Sequence, residues 1–111
     1  MIYFNKMWKN MKSNKKFKRY IKEVNLKEID LNEYLIIDVR SRREFKENHL
    51  NGAINIPLPE IKRNIEKYVK DKNKKILLCC EYGARSMTAA ERLEDIGYTQ
   101  VFNLKGGLEN I

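Results

Sequence analysis

The chain has 111 residues, a length that suits one domain with its own hydrophobic core. Its two cysteines are adjacent, which disfavours an ordinary structural disulfide and favours reduced thiols, so the cytoplasm is the expected location. The sequence has no run of about 20 apolar residues, so no membrane span is predicted. The basic N-terminus has no apolar segment typical of a secretory signal.

The positive charge is concentrated at the N-terminus. Residues 1–28 hold nine Lys/Arg and two Glu, net +7, whereas residues 29–111 hold fourteen Lys/Arg and thirteen Asp/Glu, net +1. We therefore predict a basic extension over residues 1–19 and a nearly neutral domain over residues 20–111. Aromatic residues interleave with the basic ones, as in some segments that bind nucleic acid or anionic membranes, but blocks of like charge are usually solvated tails. Met7 and Met11 are candidates for alternative starts.

The first half of the domain predicts two strands and a capped helix. Tyr20–Val24 predicts a short edge strand, and Asn25 is a candidate N-cap for a short helix. The continuous apolar run Tyr34–Val39 predicts a strand buried on both faces, as in a parallel sheet. Ser41 predicts a helix start, because Glu44 three residues later completes a capping box.

The second half continues the alternation. Strands are predicted at Ala53–Ile56, Ile76–Cys79 and Gln100–Leu104, and helices at Glu60–Lys70 and Ser86–Ile96. The pattern predicts a small three-layer α/β domain, with a central five-stranded, mainly parallel sheet and helices on both faces. In such sheets ligands bind at the carboxyl ends of strands.

The segment from Leu77 to Ser86 combines a strand end, a loop and a helix start. Cys80 ends the strand, and a short loop with one glycine and one arginine leads into the helix. Backbone N–H groups in such a loop and a helix N-terminus both favour an anion, either a thiolate or an oxyanion such as thiosulfate, phosphate or arsenate.

Four blocks in chain order resemble the rhodanese-like domain. They are Ile36–Arg40 followed by Glu44–Phe45, then His49–Pro57, Cys80–Ser86 and Gly97–Gly107. The resemblance covers about residues 20–111. It implies a single-domain sulfurtransferase in which the thiolate of the reactive cysteine attacks the outer sulfur of a donor such as thiosulfate and becomes a persulfide. A second nucleophile then takes the sulfur.

The sequence departs from the family pattern at two places. Asn48 stands where the family usually has a glycine, and we expect it to tolerate the positive φ of a turn. The chain ends at Ile111, where the family often continues to a tryptophan, so we expect a shorter last helix.

The resemblance assigns the nucleophile to Cys80, and a substrate-binding loop follows it. N–H groups of residues 81–85 are expected to surround the sulfur. In that loop Arg85 either attracts an anionic donor or holds the loop's shape, and the two roles are compatible. A carboxylate beside the nucleophile disfavours the thiolate and repels anionic donors. The expected substrate-binding residues are Glu81, Tyr82, Gly83, Ala84 and Arg85, the first two tuning substrate choice and the glycine providing a positive φ.

Other polar residues are predicted to support the site. Asp38 and Arg40 are expected to form a loop-organising pair, and Ser86 is expected to cap the following helix. His49 is a tempting general base, but its position favours structural hydrogen bonding in a turn.

Cys79 leaves a second interpretation open. Counted from Cys80 the spacing to Arg85 is Cys-x4-Arg, the rhodanese pattern, whereas counted from Cys79 it is Cys-x5-Arg-Ser, the phosphatase pattern. Strand alternation cannot aim both sulfurs at one pocket. We therefore expect Cys79 in the core, with a vicinal disulfide and a phosphatase or arsenate reductase as the minor alternatives.

The functional prediction has a second form, a sulfur-relay or binding module that serves a protein partner. Expected partners are a small-molecule sulfur donor, a thiol or cyanide acceptor, and a protein acceptor such as thioredoxin. We expect no nucleic acid partner and a monomer. No cofactor or metal is predicted, because the sequence has neither a metal-ligand cluster nor a nucleotide-binding glycine loop.

Overall fold

The computed structural model describes residues 20–110, so the predicted extension over residues 1–19 lies outside the described residues. All strand pairs are parallel, in the order β1-β5-β4-β2-β3. The strands are β1 (Lys22–Val24), β2 (Leu35–Asp38), β3 (Ile54–Asn55), β4 (Ile76–Cys79) and β5 (Val101–Leu104). The predicted five-stranded α/β fold is confirmed.

Within residues 20–110, three α-helices and five 3₁₀ segments cover the sheet. The helices are α1 (Arg42–Glu47), α2 (Ile61–Asn64) and α3 (Ala84–Asp95). Helices α2 and α3 pack on one face through buried isoleucine, alanine and leucine side chains, while short segments cover the other. The 3₁₀ segments are Leu26–Glu28, Leu31–Glu33, Leu58–Glu60, Ile65–Lys67 and Leu108–Asn110.

The two central strands are the most apolar. Strand β4 is buried along its whole length, and β2 is buried from Ile36 onward. Side chains alternate between a larger cluster that includes Ile37 and Leu78 and a smaller one that includes Ile36 and Leu77. Burial on both faces explains why these strands read as continuous apolar runs.

Local signals set several element ends. Ser41 Oγ accepts a hydrogen bond from the Glu44 amide, and the Glu44 carboxylate accepts one from the Ser41 amide, so the predicted capping box is confirmed. Gly97 follows α3 with φ +101°, as expected of a C′ glycine.

The predicted helix over Glu60–Lys70 is shorter and divided. It consists of α2 and the 3₁₀ turn Ile65–Lys67. Ile61 and Ile65 are fully buried and anchor it, but Tyr68 is 53% exposed and is not part of the apolar face. In the described part of the chain, no helix is both long enough and apolar enough to cross a bilayer.

Candidate active site

The sheet separates the two cysteines. Both lie at the carboxyl end of β4, which pairs with β2 on one side and β5 on the other. Cys80 belongs to the cluster covered by α2 and α3, and Cys79 belongs to the cluster on the opposite face. Because neighbouring side chains of a strand point to opposite faces, only one of the two sulfurs reaches the loop before α3.

Backbone donors point at the Cys80 sulfur. The Gly83 amide lies 3.1 Å and the Ser86 amide 3.3 Å from Sγ, and the Ser86 hydroxyl is 3.3 Å away. These amides lie in the first turn of α3, where unpaired N–H groups and the helix dipole stabilise negative charge. Residues 81–85 were expected to supply these donors, and Gly83 does so. Ser86 is a second donor that lies outside that range.

The helix after the loop starts earlier than predicted. Gly83 is the N-cap, with φ +102°, and Ala84 is the first helical residue. The prediction that Ser86 caps the helix is wrong, because Ser86 lies inside the first turn and its hydroxyl turns back to the Gly83 carbonyl at 3.2 Å. Ala84 is exposed. The positive φ at Gly83 explains how the chain enters the helix two residues sooner.

Sequence reasoning missed Asn103, a fully buried residue on β5. Its Oδ1 accepts a hydrogen bond from the Ser86 hydroxyl, and its Nδ2 donates to the Gly83 carbonyl at 3.2 Å and to Glu23 at 3.3 Å. Both Nδ2 partners are acceptors, so they define the orientation of the amide. The available signal was a single polar residue in an otherwise apolar strand.

A buried ion pair follows β2. Asp38 and Arg40 are 0% and 3% exposed, and the Arg40 guanidinium donates to both Asp38 oxygens at 2.8–3.1 Å. Arg40 Nη2 also donates to the Asn48 carbonyl at 2.6 Å. The structure thus brings together the two residues predicted as a polar pair.

Tyr82 is the exposed tip of the loop, and Glu81 beside it is partly buried. The Glu81 carboxylate lies 3.5 Å from Arg40 Nη1 and is 35% exposed, while Tyr82 is 69% exposed. A contact between charged groups at that distance is an ion pair rather than a strong hydrogen bond. Both side chains are therefore accessible to solvent, Tyr82 more than Glu81.

Arg85 has a partner that the sequence did not indicate. Its guanidinium donates to both oxygens of Glu44 at 2.7 and 3.0 Å, a bidentate ion pair between α3 and α1. The Arg85 hydrogen bond is the main reason why the pKa of Glu44 falls from its usual 4.5 to about 2. This pair fixes the position of the Arg85 guanidinium beside the loop, and the expected attraction of an anionic donor by Arg85 stays a prediction.

The C-terminal segment is hydrogen-bonded to the backbone of the reactive loop. The amides of Leu108 and Glu109 donate to the carbonyls of Cys80 and Glu81 at 2.8 and 2.9 Å. A Cβ on Gly107 would overlap the Glu81 carbonyl and lie 2.7 Å from the Cys80 oxygen. The double glycine was visible in the sequence, but its contact with a loop about 25 residues away was not.

His49 occupies a structural position. Its Nδ1 lies 2.7 Å from the Phe45 carbonyl, and its ring stacks on the Phe45 ring with centroids 3.7 Å apart. Asn48 has φ −169°, which is extended backbone open to any residue. The expectation that this position needs a positive φ is therefore wrong, and asparagine replaces glycine there without strain.

Cys79 is completely buried, and desolvation raises the pKa of its thiol well above the usual value. The thiol is therefore poorly suited to act as a nucleophile. Within residues 20–110, no group of three or more His, Cys, Asp or Glu side chains is placed to hold a metal ion.

Comparisons with known proteins agree with this geometry. The Rhodanese-like domain family matches residues 12–111. The chain is 45% identical over 75 residues to the thiosulfate sulfurtransferase PspE of Escherichia coli, covering 68% of this chain and 71% of that protein. It is 32% identical over 75 residues to the thiosulfate sulfurtransferase GlpE of Coxiella burnetii, covering 68% of each protein.

Among solved structures, a rhodanese with anions from E. coli aligns with a TM-score of 0.65 and 42% identity, covering 70% of this chain and 91% of that one. The fold, the order of the motifs and these matches define the class of protein. The chain belongs to the rhodanese-like domain family, and it is an enzyme of the rhodanese sulfurtransferase type.

Proposed function

We propose that the protein moves sulfane sulfur from a donor such as thiosulfate to a thiophilic acceptor through a persulfide on Cys80. The observation that carries this proposal is the pair of backbone amides, of Gly83 and Ser86, directed at the Cys80 sulfur. They offer two N–H donors to an anionic sulfur without a metal or cofactor.

In the first step, the Cys80 thiolate attacks the outer sulfur of thiosulfate. The S–S bond of the donor breaks, sulfite leaves with the bonding electron pair, and Cys80 carries a persulfide. In the second step, a thiolate or cyanide attacks the outer sulfur of that persulfide, and Cys80 leaves as a thiolate. No external oxidant or reductant is consumed, since the sulfane sulfur moves with its oxidation state unchanged.

The proposal is tested by weighing the intact, reduced protein after treatment with thiosulfate. Wild-type protein and Cys79→Ser gain the mass of one sulfur atom, which cyanide removes, whereas Cys80→Ser gains nothing. Sulfur loading that persists in Cys80→Ser contradicts the proposal, and so does a wild-type protein that no donor loads.

A second candidate is a sulfur relay that passes the persulfide to a protein such as thioredoxin. Tyr82 supports it, because a large side chain 69% exposed at the loop tip offers a contact surface beside the nucleophile. A similar segment, 37% identical over 82 residues, makes up 19% of the adenylyltransferase and sulfurtransferase UBA4 of Candida albicans. If the basic residues 1–19 dock such a partner, deleting them weakens transfer to the partner protein and spares thiosulfate turnover.

The protein is proposed to act as a monomer in the cytoplasm, where reducing conditions keep Cys79 and Cys80 as free thiols. The phosphatase or arsenate reductase alternative has less support. It requires Cys79 as the nucleophile, and this residue is buried on the other face of the sheet.

A further inference from the structure

The charges around the reactive loop fall into two neighbouring ion-paired sets. Together they contain three carboxylates and two guanidiniums: Asp38 pairs with Arg40, Arg40 contacts Glu81, and Arg85 pairs with Glu44. With every side chain ionised, the two sets together carry one net negative charge. Both arginines are therefore already engaged by carboxylates before a substrate arrives.

Glu81 is the member of these two sets that provides the surplus charge. The buried Asp38 neutralises Arg40 through hydrogen bonds at 2.8–3.1 Å, whereas Glu81 lies farther from Arg40, at 3.5 Å, and is about one third exposed. Its carboxylate also follows the nucleophile directly in the chain. The loop that carries the reactive sulfur therefore also carries a partly exposed negative charge.

We propose that Glu81 makes the site select sulfur donors that carry a cationic group near the reacting sulfur over dianionic donors. The favoured class is then aminoalkyl persulfides and aminoalkyl thiosulfonates. This inference rests on the proposed sulfur transfer through Cys80 and names the substrate class of that site. Thiosulfate, a dianion, is a usable donor that Glu81 disfavours.

The chemical step is the same for every donor in this class. The Cys80 thiolate attacks the outer sulfur, the donor's S–S bond breaks, and a thiolate or a sulfinate leaves with the electron pair. A persulfide forms on Cys80 in each case, and no co-reactant is needed. Selection by Glu81 acts on the charge of the donor.

Three donors separate charge from chemistry. Thiosulfate is a dianion, ethanethiosulfonate is a monoanion, and 2-aminoethanethiosulfonate is a zwitterion that differs from ethanethiosulfonate only by its ammonium group. The measurement is kcat/KM for each donor with cyanide as acceptor. The wild-type enzyme is expected to prefer 2-aminoethanethiosulfonate over ethanethiosulfonate, because the ammonium group is attracted to the Glu81 carboxylate.

Glu81→Gln removes the charge and keeps the shape. It is expected to raise kcat/KM about 5-fold for thiosulfate and about 2-fold for ethanethiosulfonate. The kcat/KM for 2-aminoethanethiosulfonate should stay unchanged or fall. These factors are modest because a partly exposed charge interacts weakly with a donor. A more nucleophilic Cys80 would instead change all three values by one factor. The selectivity should also weaken at high salt, since the screening length falls from about 10 Å at 0.1 M to about 3 Å at 1 M.

Two variants are controls. Glu81→Asp keeps the charge and should keep the wild-type order of donors, while Glu47→Gln removes a charge from an exposed residue of α1 and should change none of the three values. An equal factor for all donors in Glu81→Gln overturns the inference, as does a wild-type preference for ethanethiosulfonate. Loading of Cys80 by all three donors with the same kcat/KM, whatever their charge, overturns the inference alone. Failure of all three to load Cys80 overturns the proposed function as well.

Discussion

The two sides of the sheet at the end of β4 place the same amino acid in opposite surroundings. On one side, the Cys80 sulfur receives two backbone N–H groups from the first turn of α3. On the other, Cys79 is packed among Val24, Ile36, Leu77 and Leu104. The two cysteines are consecutive in the chain, yet the Cys80 sulfur is placed for anionic chemistry and the Cys79 sulfur is a neutral group of the core.

This difference shows that reactivity depends on where the backbone donors point. Both cysteines are almost completely inaccessible, at 0% and 1% exposure, so burial alone does not distinguish them. What distinguishes them is the start of α3, whose free amides lie only on the Cys80 side.

Replacing each cysteine with serine should have opposite effects on activity and stability. Cys80→Ser abolishes sulfur loading, at least about 10³-fold, but its hydroxyl finds the amides of Gly83 and Ser86 and stability changes little. Cys79→Ser retains loading but loses about 1–3 kcal/mol of unfolding free energy, because its hydroxyl is buried among apolar groups. Thiosulfate turnover and urea unfolding measure both, and a Cys79→Ser protein without activity would break the contrast.

The buried ion pair next to the site predicts a large stability effect. Arg40→Met leaves the fully buried Asp38 carboxylate without its guanidinium and should cost about 3–5 kcal/mol. Arg42→Met is the matched control, because Arg42 also pairs with a carboxylate at 2.8 Å but is 69% exposed. Its loss should cost far less than that of Arg40, because solvent screens an exposed pair. Equal costs in denaturant unfolding would show that burial does not decide the value of these pairs.

The close contact of Gly107 with the reactive loop predicts a smaller but measurable loss of stability and activity. Gly107→Ala combines a left-handed φ of +72° with overlap against the Glu81 carbonyl, so we expect a loss of about 3 kcal/mol and about 10-fold in kcat/KM. Gly52→Ala is the control, since Gly52 has φ +86° but no atom within 4 Å of an added Cβ. It should lose only about 1 kcal/mol and keep its activity.

The smallest effect concerns acid stability. The folded pKa of Glu44, about 2, lies below its usual 4.5, so the Glu44–Arg85 pair stabilises the protein above about pH 4.5 and this stability is lost as pH falls toward 2. The side chains are 34% and 40% exposed, so screening limits the effect to about 1 kcal/mol. Urea unfolding of Glu44→Gln should show less loss between about pH 6 and pH 3 than wild type.

Features carried by neighbouring residues were predictable. The apolar runs of β2 and β4 indicated their burial, and Ser41 with Glu44 indicated the start of α1. The start of α3 was misplaced by two residues, because a glycine N-cap with positive φ has no side chain to mark it. The positions of Asn103 and Gly107 beside the loop were not predictable from local pattern, since both reach it from β5 and the chain beyond it.

The sequence by itself determined the strand order along the chain, the placement of one cysteine at a strand end and the separation of Cys79 from Cys80, because strand alternation is a local property of the backbone. The tertiary structure decided which groups meet at the site. Arg85 pairs with Glu44 across 41 residues, and Gly107 fits beneath Glu81. Such contacts depend on how separate elements pack against each other, and the spacing of residues along the chain does not show which distant residues will meet.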